Sequence, residues 1–219
     1  SIFQIIGDKC FVISNDNQSA SGLFVYDINT ESIIASYADG SNWKYIYPTG
    51  NDYLIMGYVG VLYYNTTTNI IEQLTTSGMW DTIHEVEDGY LIYATNLSSY
   101  GILFFDSNSK TITQIYDTGY KYIMKTVSGN KALITSTTSS YKGIFLYDGS
   151  SKTITQIYDV GYNWKHIQII GNKCLIGGSD YNDLGILLYN STTNTIQQIY
   201  TKGYSWGSFQ IIENGCLIA

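Results

Sequence analysis

Short apolar runs of about five or six residues, broken by Gly, Asn, Asp and Ser, follow one another along the entire chain. None is long enough or periodic enough to make an amphipathic helix, so the pattern predicts strands throughout. A hairpin signal occurs six times, as FQIIGDKCFVIS, IYPTGNDYLIMG, HEVEDGYLIYA, KTVSGNKALITS, IQIIGNKCLIGG and FQIIENGCLIA. The Gly-Asn, Asp-Gly and Asn-Gly pairs between the runs supply the positive φ that tight hairpins require. We denote these strands a and b. A nearly continuous apolar strand c follows in GLFVYD, GVLYYN, GILFFD, GIFLYD and GILLYN, each led by a glycine and ended by Asp27, Asn65, Asp106, Asp148 or Asn190. A short Asp or Asn side chain there can accept bonds from the backbone just ahead and start a turn. Strand d is SIIASY, IIEQLT, TITQIY twice, and TIQQIY.

The four strands recur with a period of about 42 residues, most plainly where SKTITQIYDTGY at 109–120 returns as SKTITQIYDVGY at 151–162. A small sheet cannot bury both faces alone, so repeated four-stranded antiparallel units predict an all-β propeller. The repeats read as 1–43, 44–80, 81–120, 121–164 and 165–206, with a partial unit at 207–219 that holds only strands a and b. Three closures are compatible with that count: six inner strands, five blades with an appended hairpin, or a longer chain or partner that completes the sixth blade. The template resembles the blades of TolB-like propellers. The Ser-Pro-Asp-Gly turn of that family is replaced here by Gly-Asn-Lys or Asp-Gly, so the resemblance implies a fold and no activity.

The connections from strand d to the next strand a read GSNWK, GMWD, GYKY, GYNWK and GYSWG. They place Trp43, Trp80, Tyr120, Trp164 and Trp206 at one repeated position, with Tyr162 and Tyr204 two residues earlier in their blades. Those connections and the b-to-c loops, rich in Ser, Thr and Asn, share one face of a propeller, and loops on a rigid scaffold carry function. Aromatic rings beside amides and hydroxyls resemble the sites of tachylectin-like lectins, which implies stacking on sugar rings. A large residue at a fixed place at the start of strand a also fits a wedge between neighbouring blades. The chain therefore reads as a recognition module for a glycan or protein ligand, or as a structural or interaction propeller within a larger surface assembly.

Composition narrows the classes further. With 11 basic against 18 acidic residues the net charge is -7, and every basic residue is Lys, so the field repels nucleic acid and no guanidinium fork is available for phosphate. No apolar run is long enough for a membrane-spanning helix. Cys10, Cys174 and Cys216 occupy equivalent strand positions, an odd set that reads as small buried hydrophobes and not as a disulfide framework. His84 and His166 fall at different repeat positions, and neither HExxH nor GxSxG occurs, so no catalytic residues, metal or cofactor are expected. Asp81 and Glu85 are the unrepeated acids nearest an inner strand. The oxygen-rich stretches 15–17 and 180–183 are the weak metal candidates. Sequons at Asn17, Asn65, Asn96 and Asn190 occur at about the frequency expected by chance in so Ser- and Thr-rich a chain. Sparse charge with abundant Asn, Ser, Thr and Tyr favours an extracellular or surface setting.

Overall fold

The computed structural model describes residues 2–14, 22–38, 43–94, 101–119, 121–138, 142–161, 163–178, 185–201, 206, 208–212 and 215–218. Every regular element among them is a strand. The first blade runs β1 (Ile2–Ile6), β2 (Lys9–Ser14), β3 (Gly22–Asp27) and β4 (Ser32–Tyr37), and the second β5 (Trp43–Thr49), β6 (Asp52–Gly57), β7 (Gly60–Asn65) and β8 (Ile70–Thr75). The third comprises β9 (Thr82–Val86), β10 (Gly89–Tyr93), β11 (Ile102–Asp106) and β12 (Thr111–Tyr116), and the fourth β13 (Tyr122–Ser128), β14 (Lys131–Ser136), β15 (Ile144–Asp148) and β16 (Thr153–Tyr158). The fifth holds β17 (Trp164–Ile170), β18 (Lys173–Gly178), β19 (Ile186–Asn190) and β20 (Thr195–Tyr200), followed by the hairpin β21 (Phe209–Ile212) and β22 (Gly215–Ile218). Each four-stranded sheet is an antiparallel meander in chain order. Successive blades meet through strands a and again through strands d, the contacts β13 with β9 and β17, and β16 with β12 and β20, being examples. This is a β-propeller in which the sixth blade is incomplete.

The core lies between blades and not within them. One apolar cluster fills each seam: Phe11, Leu23 and Val25 of blade 1 against Trp43, Ile55 and Tyr64 of blade 2, and likewise at the next three junctions. Strand c is sandwiched on both faces, which is why β7, β11 and β15 are buried along nearly their whole length and read as unbroken apolar runs. Strand d has one partner strand and an open edge, so it carries the Thr and Gln. In the outer pairs of blades 2 to 5 the register slips by one residue at the end of strand d, as between Ile144 and Phe145 opposite Tyr158 and Gln156, and in blade 1 it slips in mid-strand, between Val25 and Tyr26. The extra residue lets Ile157 and Tyr158 both reach the same seam.

Two repeated devices hold the turns. Asp27 Oδ1 accepts from the backbone N–H groups of Asn29 and Thr30 at 2.8 and 3.0 Å, Asn65 from Thr67 and Thr68 at 2.9 and 3.0 Å, and Asp106 from Asn108 and Ser109 at 2.9 and 3.0 Å. The expected Asp/Asn turn is therefore present at these positions. At its far end sits a residue with positive φ: Glu31, Asn69, Lys110, Lys152 and Asn194. Asn69 and Asn194 also accept from the hydroxyls of Tyr64 and Tyr189 at 2.8 and 3.1 Å. In blade 4 Lys152 replaces the amide and turns to Asp106 of the blade before, and the Tyr147 hydroxyl is left without a partner among the described residues. The ion pair across the seam stands where blades 2 and 5 have a local hydrogen bond, and Lys110 of blade 3 likewise pairs with Asp52 of the blade before at 3.4 Å.

The glycine opening strand c is a steric requirement. Gly143 has φ +104°, and a Cβ there would sit well inside van der Waals contact of the Tyr158 carbonyl oxygen; Gly185 meets Tyr200 in the same way at φ +70°. Gly7, in an a-to-b turn, has φ +61° but open space around it. Changing Gly7 to Ala should thus cost only the left-handed backbone penalty of about 1–2 kcal/mol. Gly143→Ala should cost roughly twice that or more in urea unfolding, because the clash is with backbone and cannot be relieved by a rotamer.

Asp106 provides a pH test. The hydrogen bond from Lys152, with those from the Ser109 and Asn108 amides, holds its carboxyl at about 2. The folded value lies below the unfolded one of about 3.9, so the stabilisation is complete above about pH 4 and is lost as pH falls towards 2. Asp106→Asn should flatten the fall of the urea midpoint across that window relative to the unaltered chain, while leaving the slope between pH 5 and 7 unchanged.

Candidate functional site

The repeated aromatics of the d-to-a connections are seam residues. Trp43 and Trp164 open β5 and β17 and are 1% and 0% exposed, and Trp80, just ahead of β9, is 5% exposed. Where strand d of the preceding blade ends in tyrosine, the ring meets it edge-on: Tyr37 with Trp43, Tyr158 with Trp164 and Tyr200 with Trp206, at centroid separations of 6.2, 5.8 and 5.7 Å. The Trp164 Nε1–H donates to the Val160 carbonyl at 3.3 Å and the Trp80 Nε1–H to the Ser77 carbonyl at 3.1 Å. At Trp80 and Trp164 the connection itself satisfies the buried indole N–H and is thereby pinned to the seam, whereas Trp206 Nε1 is buried without a partner among the described residues. A backbone bond repeats beside it, from Trp80 to Gly57, Lys121 to Ala94, Asn163 to Ser136 and Trp206 to Gly178, at 3.1, 3.0, 2.9 and 3.2 Å.

In blade 4 the residue at this position is Tyr122, not Tyr120. Tyr122 opens β13, pairs edge-on with Tyr116 at 6.4 Å, and donates its hydroxyl to the Thr118 carbonyl, which matches the Trp164 arrangement. Tyr120 itself, with Tyr162 and Tyr204, lies outside the described residues, as do the oxygen-rich stretches 15–17 and 180–183. The offset of two arises because GYKY and GYNW present two aromatics each. Only the cross-seam pairing tells which one is the wedge. With Trp43, Trp80 and Trp164 covered by protein, their ring faces are not open for stacking, and their contribution to the loop face is to fix where each connection emerges.

Two described aromatics do face solvent near that end of blade 2: Tyr45 at 36% exposure and Tyr58, in the two-residue turn between β6 and β7, at 42%. Lys44 Nζ lies 4.0 Å above the Tyr58 ring and donates to a hydroxyl at 2.6 Å, that of Tyr58 itself. The short turn MGYVG thus presents an exposed aromatic.

Superposing the hairpin registers exposes a polar ring. Gln4, Tyr47, His84, Lys125, Gln168 and Gln210 each lie opposite Phe11, Leu54, Leu91, Leu133, Leu175 and Leu217, the same station of strands a and b in all six units. Strand a is the innermost strand of a propeller blade, so these side chains encircle the axis. Tyr47 donates across its seam to the Asp81 carbonyl at 3.1 Å, and His84 Nε2 shares a proton with Thr126 Oγ1 at 2.9 Å. Burial, reinforced by Lys125, lowers the His84 pKa, so the imidazole stays neutral. A cavity of about 520 Å³ opens here, lined by His84, Glu85, Glu87, Thr126 and Gly129, and one of about 260 Å³ at the next-but-one seam is lined by Lys165, His166, Gln168 and Ser208. Both are open and polar. The signal was present in the sequence as one polar residue in each strand a, but it is legible only when the six strands share a register.

Asp81 is buried, with Thr82 Oγ1 donating to its Oδ1 at 2.9 Å, and Glu85 is exposed on β9. Among the described residues no group of three His, Cys, Asp or Glu side chains could hold a metal ion. Cys174 is buried in the seam with its thiol pushed up to about 12, and Cys10 and Cys174 are free. Among the described residues no helix is long and apolar enough to cross a membrane.

No protein-family model matches this chain, and no curated protein matches its sequence. Solved structures do match it. Apo AztD from Citrobacter koseri is similar with a TM-score of 0.58 at 13% identity, over 93% of this chain and 60% of AztD. A second crystal structure of C. koseri AztD gives 0.57 over the same shares. TolB from Acinetobacter baumannii matches at 0.40 and 12% identity, over 90% of this chain and 53% of TolB. The chain thus spans less than two thirds of either protein. These neighbours are β-propeller proteins, and at such identities the likeness to AztD is one of fold.

Replacing Trp164 by Ala should remove the wedge and cost about 3–5 kcal/mol in urea unfolding. Trp164→Phe keeps a ring against Tyr158 but loses the bond to Val160, and should cost roughly 1–2 kcal/mol.

Proposed function

We propose that this chain is a non-catalytic recognition module whose loop-bearing face binds carbohydrate at several weak, repeated sites, in an extracellular or surface setting. The observation that carries the reading is the seam geometry. The connections into blades 3, 4 and 5 are pinned by Trp80, Tyr122 and Trp164 at one repeated station, and Tyr120, Tyr162 and Tyr204 each stand two residues ahead of such a station in the sequence. Tyr58 and Tyr45 add open rings on blade 2. Hydroxyl and amide groups of the polar ring supply donors and acceptors without strong charge, which suits a neutral, hydroxyl-rich ligand better than a phosphate or a carboxylate. Weak sites repeated on one rigid face gain affinity for a repetitive ligand through effective concentration.

A protein ligand is the second reading, which the exposed rings of Tyr45 and Tyr58 also suit. The two separate on a glycan array followed by titration calorimetry. The carbohydrate reading expects binding to a defined glycan class, weakened about tenfold for each stacking ring removed by Tyr162→Ala, Tyr204→Ala or Tyr58→Ala, with unfolding midpoints unchanged. Absence of binding to any glycan on the array, or binding indifferent to all three substitutions, would falsify it.

A further inference from the structure

The seam between blades 3 and 4 departs from the repeat in three ways, and all three meet at the cavity of about 520 Å³. Blade 3 carries Glu87 at the first position of its two-residue a-to-b turn, where blades 1, 2, 4 and 5 have Gly7, Gly50, Gly129 and Gly171 with positive φ. Blade 4 pairs Thr126 with Ala132, whereas the same station holds Ile5 with Cys10, Pro48 with Tyr53, Glu85 with Tyr90 and Ile169 with Cys174 in the other full blades. Blade 4 also has an extra residue, Val127, between Thr126 and Ser128, whose partners Ala132 and Lys131 are consecutive. In the other full blades strand a runs in unbroken register to its turn. A carboxylate thus replaces a hydrogen, a small pair replaces a large one, and a bulge bends the wall that carries Thr126.

The polar groups gathered there are acceptors. Thr126 Oγ1 donates to the Glu85 carbonyl at 3.4 Å and lies 2.9 Å from His84 Nε2. With its one proton given to the carbonyl, the hydroxyl accepts from Nε2–H, and a neutral imidazole protonated on Nε2 keeps a lone pair on Nδ1. Lys125, which helps to hold that imidazole neutral, follows Thr126's predecessor position in β13 and so projects from the other side of the strand, away from the Thr126 side. The Glu87 carboxylate makes no hydrogen bond or ion pair among the described residues. Gly129 of the next turn faces it with no side chain, and a Cβ there would lie 3.5 Å from Glu87 Oε2. The volume falls within the roughly 300–1,000 Å³ of small-molecule sites.

We infer that this cavity is a second ligand site, which takes the ammonium group of a small primary amine, with Glu87 as its counter-ion and the His84 imidazole as a hydrogen-bond acceptor. An unpaired carboxylate beside acceptors selects a ligand that brings both donors and positive charge, because the charge-assisted bond is the stronger one. The net charge of -7 draws cations towards the molecule. The site lies at the a-to-b turn end of the axis, opposite the loop-bearing face, so it stands apart from the carbohydrate reading.

The test is a titration of the isotope-labelled chain with n-butylamine at neutral pH, followed through the imidazole signals in NMR spectra. The chain has two histidines, so His166 serves as the internal reference. The isosteric n-butanol and the anion butyrate are the controls for charge. The His84 signals should shift saturably with the amine and stay in place with the alcohol and the acid. Glu87→Gln, a change in an exposed turn, should raise the dissociation constant about tenfold or more. Thr126→Ile, which installs the residue of blades 1 and 5 and fills the cavity, should abolish the shift, with urea midpoints verifying that both variants fold. Glu72→Gln, an exposed acid on β8, should change nothing. An equal response to n-butanol, a response indifferent to Glu87→Gln, or the absence of any saturable His84 shift with the amine overturns the inference.

Discussion

Burial of strand c on both faces is the constraint from which the rest follows. A four-stranded sheet with an apolar central strand has two faces to cover, and a single blade can cover neither. The solution is the seam, where the trailing face of one blade and the leading face of the next close over Leu, Ile, Phe and Tyr side chains. Bulges in strands d add a second residue to the seams, and glycines at the starts of strands c make room for the backbone to do so. Stability is therefore shared between neighbours, in the manner of any repeat protein.

That arrangement also decides what the loops can do. A connection that leaves one blade at strand d and enters the next at strand a must cross a seam, and its aromatic residue goes into the seam with its polar atom bonded back to the connection. The scaffold thereby fixes the loop bases to within the tolerance of a packed core, while the loop residues themselves are free to vary. Around the axis the inner strands make a second surface from one polar side chain per blade. It mixes amide, phenol, imidazole and ammonium groups.

Much of this was legible without coordinates. Alternation and turn chemistry located the strands; the Asp and Asn residues at the ends of strands c were assigned their backbone bonds from the length of their side chains; and the cysteines were read as small buried hydrophobes, which Cys174 is, while Cys10 is half-buried. The aromatic stations were harder. Tyr120 and Tyr122 lie on the same side of an extended chain, and nothing local says which meets Tyr116. Trp43 and Trp164 sit at the junction of a polar loop and an apolar strand, where exposure and burial are equally compatible with the neighbours in sequence.

The sequence by itself determined the period, the strand order within a unit and the turns, because each depends on residues a few positions apart. The tertiary structure alone decided which side of each strand a faces the next blade, that Trp43, Trp80 and Trp164 are inside the seams, and that six polar residues share one station on the inner strands. Those outcomes turn on pairing between units about 42 residues apart, where a contact is set by the packing of two sheets and not by the propensity of either.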